Sequence, residues 1–426
     1  MIHLKKLIDL LKKELELKLG QKIENRGDAE LLANAIQETI DQQISYNTIR
    51  RFFGVSTNVK PNNNTLNILA RFIGFKNYIH FTQTYSFREK KNIAEIIYKA
   101  IYNQDNEEII SLIKRIKKTP EDFVSFIILL VRELIYNKKY HILNNIFKLK
   151  EMEFNSFSYS EVLLIGNSTG LLLRKNPMDN YILLKNRNFL QCVYSSFVDY
   201  SNINGFYGEW AKFVVRNKVN KEIIIFSDAI LQLRKFLNQK KIQNDYEELA
   251  YSNKLHPILC SRLLSLSFLN SPGQKTDETL SKYIKSHSKK KQIYVDYFYE
   301  LFITAIYSKN IHLMKSLINI MNVSRISTFT YQKDHLNMYY FMCLFYYQSI
   351  KNKVEIKKYL KLININFFKS CYEDFINLLF QVFWYHQAKN KTTKESHRNK
   401  YLELAEKLNY PYFDEKFLLE YISTKK

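Results

Sequence analysis

The chain has few of the residues that interrupt helices. Its 426 residues include 9 glycines and 6 prolines. This excludes collagen-like and Pro/Gly-rich disordered chains, and it leaves too little turn punctuation for a large β-sheet protein. Cysteine is also sparse. Cys192, Cys260, Cys343 and Cys371 lie far apart with no CxxC spacing, so buried free thiols in a reducing compartment are expected rather than a zinc site or a disulfide framework. No apolar run approaches the roughly 18 residues of a membrane span. The opening stretch MIHLKKLIDLLKKELELKL alternates apolar and charged residues, which breaks any signal-peptide core and reads as an amphipathic helix packed on its own domain. A cytoplasmic protein with no membrane partner is expected.

Catalytic signatures are missing too. The 9 histidines show no HExxH or HxH spacing, and His386 and His397 read as surface or capping groups. Asp296 and Glu300, in YVDYFYE, share a helix face at i and i+4, but the neighbouring lysines make them solvated or salt-bridged groups rather than an acid-base pair. There is no Walker loop, GxSxG or kinase signature. The sequence therefore reads as a non-enzyme with no catalytic residues, metal or cofactor.

The composition is rich in apolar and basic side chains. Hydrophobic residues make up 46% and aromatics 15%, and 64 basic against 41 acidic side chains give a formal charge of +23. Such a surface attracts polyanions at low salt, although AT-rich coding would also raise Lys, Asn and Ile together. The charge is unevenly spread: residues 1–43 hold 7 basic and 8 acidic groups, residues 44–91 hold 8 and 1, and residues 93–426 carry a net +17.

This length exceeds one compact core, so two domains or a one-dimensional stack are expected. Gly20, Gly27, Gly54 and Gly74 crowd into the first 92 residues, marking a small domain of short helices over 1–90. The polar run SFREKKN (86–92) marks its boundary near Lys90. Over 91–426 a pattern of aromatic-rich helix, polar turn and second amphipathic helix recurs at Ile101, Ile135, Ile306 and Ile350, with starts 34 and 44 residues apart in the two neighbouring pairs. That range suits an α-solenoid of helical hairpins. In turns such as YNKK, Asn and Lys tolerate the left-handed conformations found at helix ends. The stretch from Tyr372 through Trp384 to Leu408 reads as a further hairpin, and Tyr410–Ile422 as a cap. The middle, about 159–269, is helical without aligned repeats. Its Gly166–Gly170 spacing reads as close helix packing or a turn rather than a phosphate site, and KSHSKKK (285–291) reads as a solvated loop. The fold class is all-α.

One segment carries a functional pointer. DAELLANAIQETIDQQISYNTIRRFFGVSTNVKPNNNTLNILARFIGF (28–75) reads as three short helices capped by Asp28, Ser45 and Thr65, with Gly54 and Gly74 ending the second and third. Leu32, Ala33, Ile36, Ile44, Ile49, Phe52, Leu66, Leu69, Ala70 and Ile73 form its expected core. Tyr46, Asn47, Arg50, Thr48 and Arg51 are left partly outward.

Leu32-Ala33, Ser45, Thr48-Ile49, Gly54, Pro61, Thr65-Leu66 and Leu69-Ala70 resemble the lambda-repressor-like helix-turn-helix family over about 50 residues. The chain departs from that family in a longer gap from Ala33 to Ser45, a missing turn glycine and a longer loop from Gly54 to Pro61. The resemblance implies double-stranded DNA as partner, with the helix starting at Ser45 in a major groove. Ser45, Tyr46, Asn47, Thr48, Arg50 and Arg51 then form the DNA-binding face. Asn47 pairs with adenine, Arg50 or Arg51 meets guanine or phosphate, and Lys60 and Asn62 to Asn64 meet the backbone. A helix-turn-helix followed by tetratricopeptide-like repeats is also similar to peptide-sensing transcriptional regulators, which implies a peptide or protein ligand in the repeat groove and a homodimer. The alternatives are a helical-repeat scaffold without DNA binding and an RNA-binding or defence-associated helical protein using the diffuse charge of residues 93–426.

Overall fold

A computed structural model describes residues 2–57, 59–103, 106–117, 120–176, 181–270, 276–287, 292–323, 325–327, 335–369 and 372–422. It describes the backbone alone at 2–6, 86–93, 120–121, 159, 292–294, 296, 322–323, 325–327 and 369. The fold is helical. Its only sheet among the described residues is the three-residue pair β1 (Gln292–Tyr294) and β2 (Arg325–Ser327), joined in parallel. The chain forms two compact units, Met1–Leu129 and Leu130–Lys426, dividing inside α7 (Pro120–Tyr136).

The first unit contains α1 (Ile2–Leu19), α2 (Arg26–Ile40), α3 (Tyr46–Phe53), α4 (Asn63–Phe72), α5 (Tyr78–Tyr102) and α6 (Asn106–Ile116). Leu11 and Leu15, one helical turn apart on α1, are buried with Leu32 and Ile36 of α2, Ile49 and Phe52 of α3, Leu66, Leu69 and Ala70 of α4 and Phe81 of α5. Of the expected core, Ala33, Ile44 and Ile73 are only partly buried against it. The amphipathic opening helix thus packs on its own unit. The run 86–92, read as a boundary, lies inside the 25-residue α5. Arg, Glu and Lys are good helix formers, so a charged run continues a helix as readily as it makes a linker.

The caps differ partly from those expected. Ser45 caps α3, accepting from the Thr48 amide at 3.1 Å. Asn25 rather than Asp28 caps α2: its side chain accepts from the Asp28 amide, and Asp28 accepts in return from the Asn25 amide. This reciprocal box places the acid three residues inside the helix, where it also meets the positive end of the helix dipole. Asn62 rather than Thr65 caps α4, accepting from the Thr65 amide at 2.8 Å, and Thr65 itself is buried.

The second unit contains α8 (Tyr140–Phe147), α9 (Tyr159–Lys175), α10 (Arg187–Phe189, continuing as a π turn over Leu190–Tyr194), α11 (Phe206–Asn217), α12 (Lys221–Leu237), α13 (Pro257–Asn270), α14 (Thr276–His287) and α15 (Tyr299–Tyr307). It continues with α16 (Ile311–Val323), α17 (Leu336–Ser349), α18 (Lys353–Leu362), α19 (Glu373–Gln387), α20 (Lys391–Leu408) and α21 (Glu415–Leu419). Successive helices α11/α12, α15/α16, α17/α18 and α19/α20 pack against each other. All of α15 is buried, as is nearly all of α13 from Leu259 to Leu269. A helix buried on all sides belongs in the middle of a core, and its few polar side chains, such as Arg262 and Glu300, must then find partners there.

Three of the four repeated segments share one turn. Lys138, Lys309 and Lys351 adopt left-handed φ of 54°, 56° and 58°. Each donates its amide three residues back, and the next amide reaches five residues back, as in Lys139 to Leu134 at 2.8 Å, Asn310 to Ala305 at 3.0 Å and Asn352 to Tyr347 at 2.9 Å. This Schellman arrangement satisfies carbonyls that the ending helix leaves open. Gln239 forms the same turn after α12. In the fourth copy, residues 104 and 105 of the turn lie outside the described residues.

Gly166 and Gly170 mark close packing. A Cβ on Gly166 would lie 2.7 Å from the Cys192 carbonyl oxygen, and one on Gly170 would lie 2.1 Å from the Phe197 ring. The C-terminal segment reaches further than a cap would. The Tyr410 hydroxyl donates to the Tyr200 carbonyl at 2.6 Å and accepts from the Ile203 amide, and the Tyr421 hydroxyl donates to the Ile306 carbonyl at 2.6 Å. These contacts span more than 100 residues of sequence, whereas in a one-dimensional stack each unit touches only its neighbours.

Candidate functional site

The outward face of α3 is set by its eight residues, YNTIRRFF. Ile49 and Phe52 enter the core, so residues 47, 50 and 51, at i+3 and i+4 spacing, fall together on the opposite side. Ser45, Asn47 and Arg51 are exposed, while Tyr46, Thr48 and Arg50 are partly so. The Ser45 and Thr48 hydroxyls meet at 2.9 Å. Arg50 Nη1 makes a long bond of 3.4 Å to Asn47 Oδ1, and its Nε has no partner. Neither Arg50 nor Arg51 forms an ion pair among the described residues. Arg26, by contrast, is held by Glu30 at 2.7 Å, and its guanidinium lies 4.8 Å from the Tyr46 ring centroid. Lys60 is exposed, and the Asn62 side-chain oxygen is engaged in capping α4. Residues 41–45 join α2 to α3, with Asp41 left-handed at φ 49°.

A second feature was not legible in the sequence. Residues of the second unit line a half-open pocket of about 480 Å³, and Arg262 and Glu300 lie in its wall. Their side chains are each 4% exposed and meet at 2.8 Å. Both acid oxygens are engaged, Oε1 by Arg262 Nη2 and Oε2 by the Tyr200 hydroxyl at 2.5 Å. Arg262 Nη2 also reaches the Tyr200 hydroxyl at 2.8 Å, while its Nε, buried, has no partner. Burial lowers the proton affinity of Arg262, but Glu300 and Tyr200 outweigh that and hold it above its ordinary range. Ser261, next to Arg262 on α13, accepts from the Glu300 and Leu301 amides with its Oγ at 3.0 and 3.3 Å, closing the open first turn of α15. Glu300 is therefore paired with a buried arginine rather than with the surface lysines that its sequence neighbourhood suggested.

His256 also lines the cavity. Burial, with Arg262 and His335 adding like charge, lowers its pKa to about 4. Burial pushes the thiols of Cys192, Cys260 and Cys343 up to about 12. His386 and His397 contact the Leu418 carbonyl and the Gln381 side-chain oxygen, each at 2.8 Å. Lys285–His287 end α14, while 288–291 of the basic run, Cys371 and the Asp296 side chain lie outside what is described. No described helix is long and apolar enough to cross a membrane.

No protein-family model, curated protein or solved structure matches the chain.

Proposed function

We propose that the protein is a DNA-binding transcriptional regulator in which α2 and α3 act as a helix-turn-helix and residues 130–426 form a sensor and dimerisation module of helical hairpins. The observation that carries this reading is the pair Arg50 and Arg51, which form no ion pair among the described residues and stand beside exposed Asn47 on a helix whose other face is anchored in the core. A cation already neutralised by a neighbour has little to offer a phosphate, whereas these two remain available to release counterions from DNA. Asn and Arg are also the side chains that read adenine and guanine edges in the major groove. Lys60 extends the basic surface of the same unit and is suited to backbone contacts.

The test is binding of the full-length protein to its own promoter duplex and to random duplex across a salt series, beside Arg50→Ala/Arg51→Ala. Promoter-selective binding that the variant weakens at least about tenfold, with a salt slope reduced by about 1–2, is expected. Weak, unselective binding that the variant leaves unchanged would instead mark a helical-repeat scaffold for proteins or peptides.

A further inference from the structure

One edge of the second unit gathers apolar and basic side chains. Helices α15, α17 and α19 end there, and the last segment of the chain ties their ends together. Lys309 Nζ donates to the Phe417 carbonyl, and the Tyr421 hydroxyl donates to the Ile306 carbonyl. The Tyr421 ring lies 5.1 Å from that of Phe345, and His386 Nε2 meets the Leu418 carbonyl at 2.8 Å. Gln348 Nε2 donates to the Phe383 carbonyl at 2.8 Å, so the last turns of α17 and α19 lie side by side. On this edge Ile350, Val354, Trp384 and Leu419 are all exposed, Val354 by 75%. Exposed apolar side chains scattered singly are ordinary, but four among the ends of packed helices form a surface with no cover of its own. The same edge is cationic. Residues 350–361 and 389–400 each hold five basic side chains and one acid. Those acids are engaged, Glu355 by Lys358 and Glu395 by Arg398, which also holds Glu415. Glu420 favours the charge of Lys309. Lys351, Lys353, Lys389 and Lys391 are exposed and form no ion pair among the described residues.

We infer that this edge docks on an anionic lipid surface, with Ile350, Val354, Trp384 and Leu419 entering the headgroup layer and the turn lysines meeting lipid phosphates. Tryptophan suits the boundary between headgroups and acyl chains, and lysines with long apolar stems keep their charges in the headgroups beside it. The charge of the edge is complementary to acidic lipid, which attracts basic segments to the surface. Nucleic acid would use the lysines but leave the aliphatic side chains in water, and a second copy of the edge would set like charges against each other. Because the edge is built of turns and helix ends, a broad surface fits it better than a peptide seated in a groove. Such docking needs no spanning helix. It departs from the expectation of no membrane partner, which rested on the lack of an apolar run, and it stands independently of DNA binding by the first unit.

The test is co-sedimentation of the full-length protein with vesicles of mixed phosphatidylglycerol and phosphatidylcholine, and with vesicles of phosphatidylcholine alone. Binding to the anionic vesicles is expected to be at least about tenfold tighter and to weaken as salt rises. The chain has two tryptophans, and Trp210 is buried, so quenching of fluorescence by bromine-labelled lipid reports the entry of Trp384. Lys351→Glu/Lys353→Glu is expected to weaken binding at least about tenfold with circular dichroism unchanged. The control makes the same change of charge elsewhere. Helix α12 ends beside the edge, where the Leu237 carbonyl accepts from the Tyr412 amide and the Tyr412 hydroxyl donates to the Tyr307 carbonyl. Lys218 and Lys221, exposed at the start of α12, therefore lie a helix length away. Lys218→Glu/Lys221→Glu is expected to stay within about threefold of the natural protein. No binding to anionic vesicles, equal loss in both variants, unchanged binding by the edge variant, or unquenched Trp384 in the bound state would overturn the inference. Loss of duplex DNA binding in the edge variant, with vesicle binding retained, would make the edge a nucleic-acid surface instead.

Discussion

The two units place arginine in opposite surroundings. In the first, Arg50 and Arg51 lie on the outer face of α3 and form no ion pair among the described residues. In the second, Arg262 is buried against Glu300 and Tyr200. Arg51, exposed, contributes little to stability because water already solvates it, whereas Arg50 is half-buried and its Nε has no partner. The buried guanidinium is matched within the fold by Glu300 and Tyr200, although its Nε is left without a partner. The turns differ in the same way. In the first unit, α3 and α4 end in Schellman turns with Gly54 and Gly74 at φ 82° and 96°. In the second, the same turn is built on Lys138, Lys309, Lys351 and Gln239, where a Cβ makes the left-handed conformation less comfortable.

The largest effect should come from breaking the buried pair. Arg262→Met leaves Glu300 buried without its counter-charge and is expected to lower stability by about 3–5 kcal/mol, whereas Arg51→Ala should stay within about 0.5 kcal/mol. Replacing both partners, as Arg262→Met/Glu300→Leu, should recover most of the loss, since no buried charge is then left alone. Urea unfolding followed by circular dichroism reads all three variants. If the single and double variants lose the same amount, the pair is not what makes Arg262 important.

Acidification should act next and should act on the second unit. His256 has a folded pKa of about 4, below the ordinary value of about 6.5. Above pH 6.5 both folded and unfolded forms are neutral at this position, and its full contribution is present. As pH falls from 6.5 towards 4, the unfolded chain takes up a proton that the folded one refuses, so stability is lost across that window, by about 2–3 kcal/mol. His256→Gln should flatten that part of the pH-stability curve, and an unchanged slope would remove His256 as its cause.

The smallest effect concerns the turns. Lys138→Gly and Lys351→Gly, both exposed, are expected to stabilise by about 0.5–1 kcal/mol each by relieving the left-handed backbone. Lys309→Gly should gain less, because Lys309 Nζ donates to the Phe417 carbonyl at 3.1 Å and lies 4.4 Å from the Phe417 ring centroid. Thermal melts that show equal gains at all three positions would contradict this distinction.

Legibility in the sequence followed sequence distance. The Ser45 cap, the Gly54 and Gly74 stops, the outward Asn47 and Arg51, and the lysine turns were all readable, because each depends on a few adjacent residues. Asn25 and Asn62 were passed over as caps because Asx and Ser/Thr side chains near a helix start compete for one role, and only the backbone angles decide between them. The buried trio was invisible for a different reason: Arg262 lies 62 residues from Tyr200 and 38 from Glu300. The available hint was an arginine in the otherwise uncharged stretch LCSRLLSLSFL, which reads equally well as a snorkelling surface residue. The middle of the chain resisted alignment because its helices are broken by the π turn after α10 and by 3-10 segments such as Tyr200–Asn202.

The most direct test of the central claim is selection of bound duplexes from a randomised DNA library by the full-length protein, compared with Arg50→Ala and Asn47→Ala. One enriched site is expected for the natural protein, with a loss of preference confined to individual base pairs in each variant, worth about 1–3 kcal/mol per contact. Failure of the natural protein to enrich any sequence, or an enriched site that both variants leave unchanged, would contradict a DNA-reading role for α3.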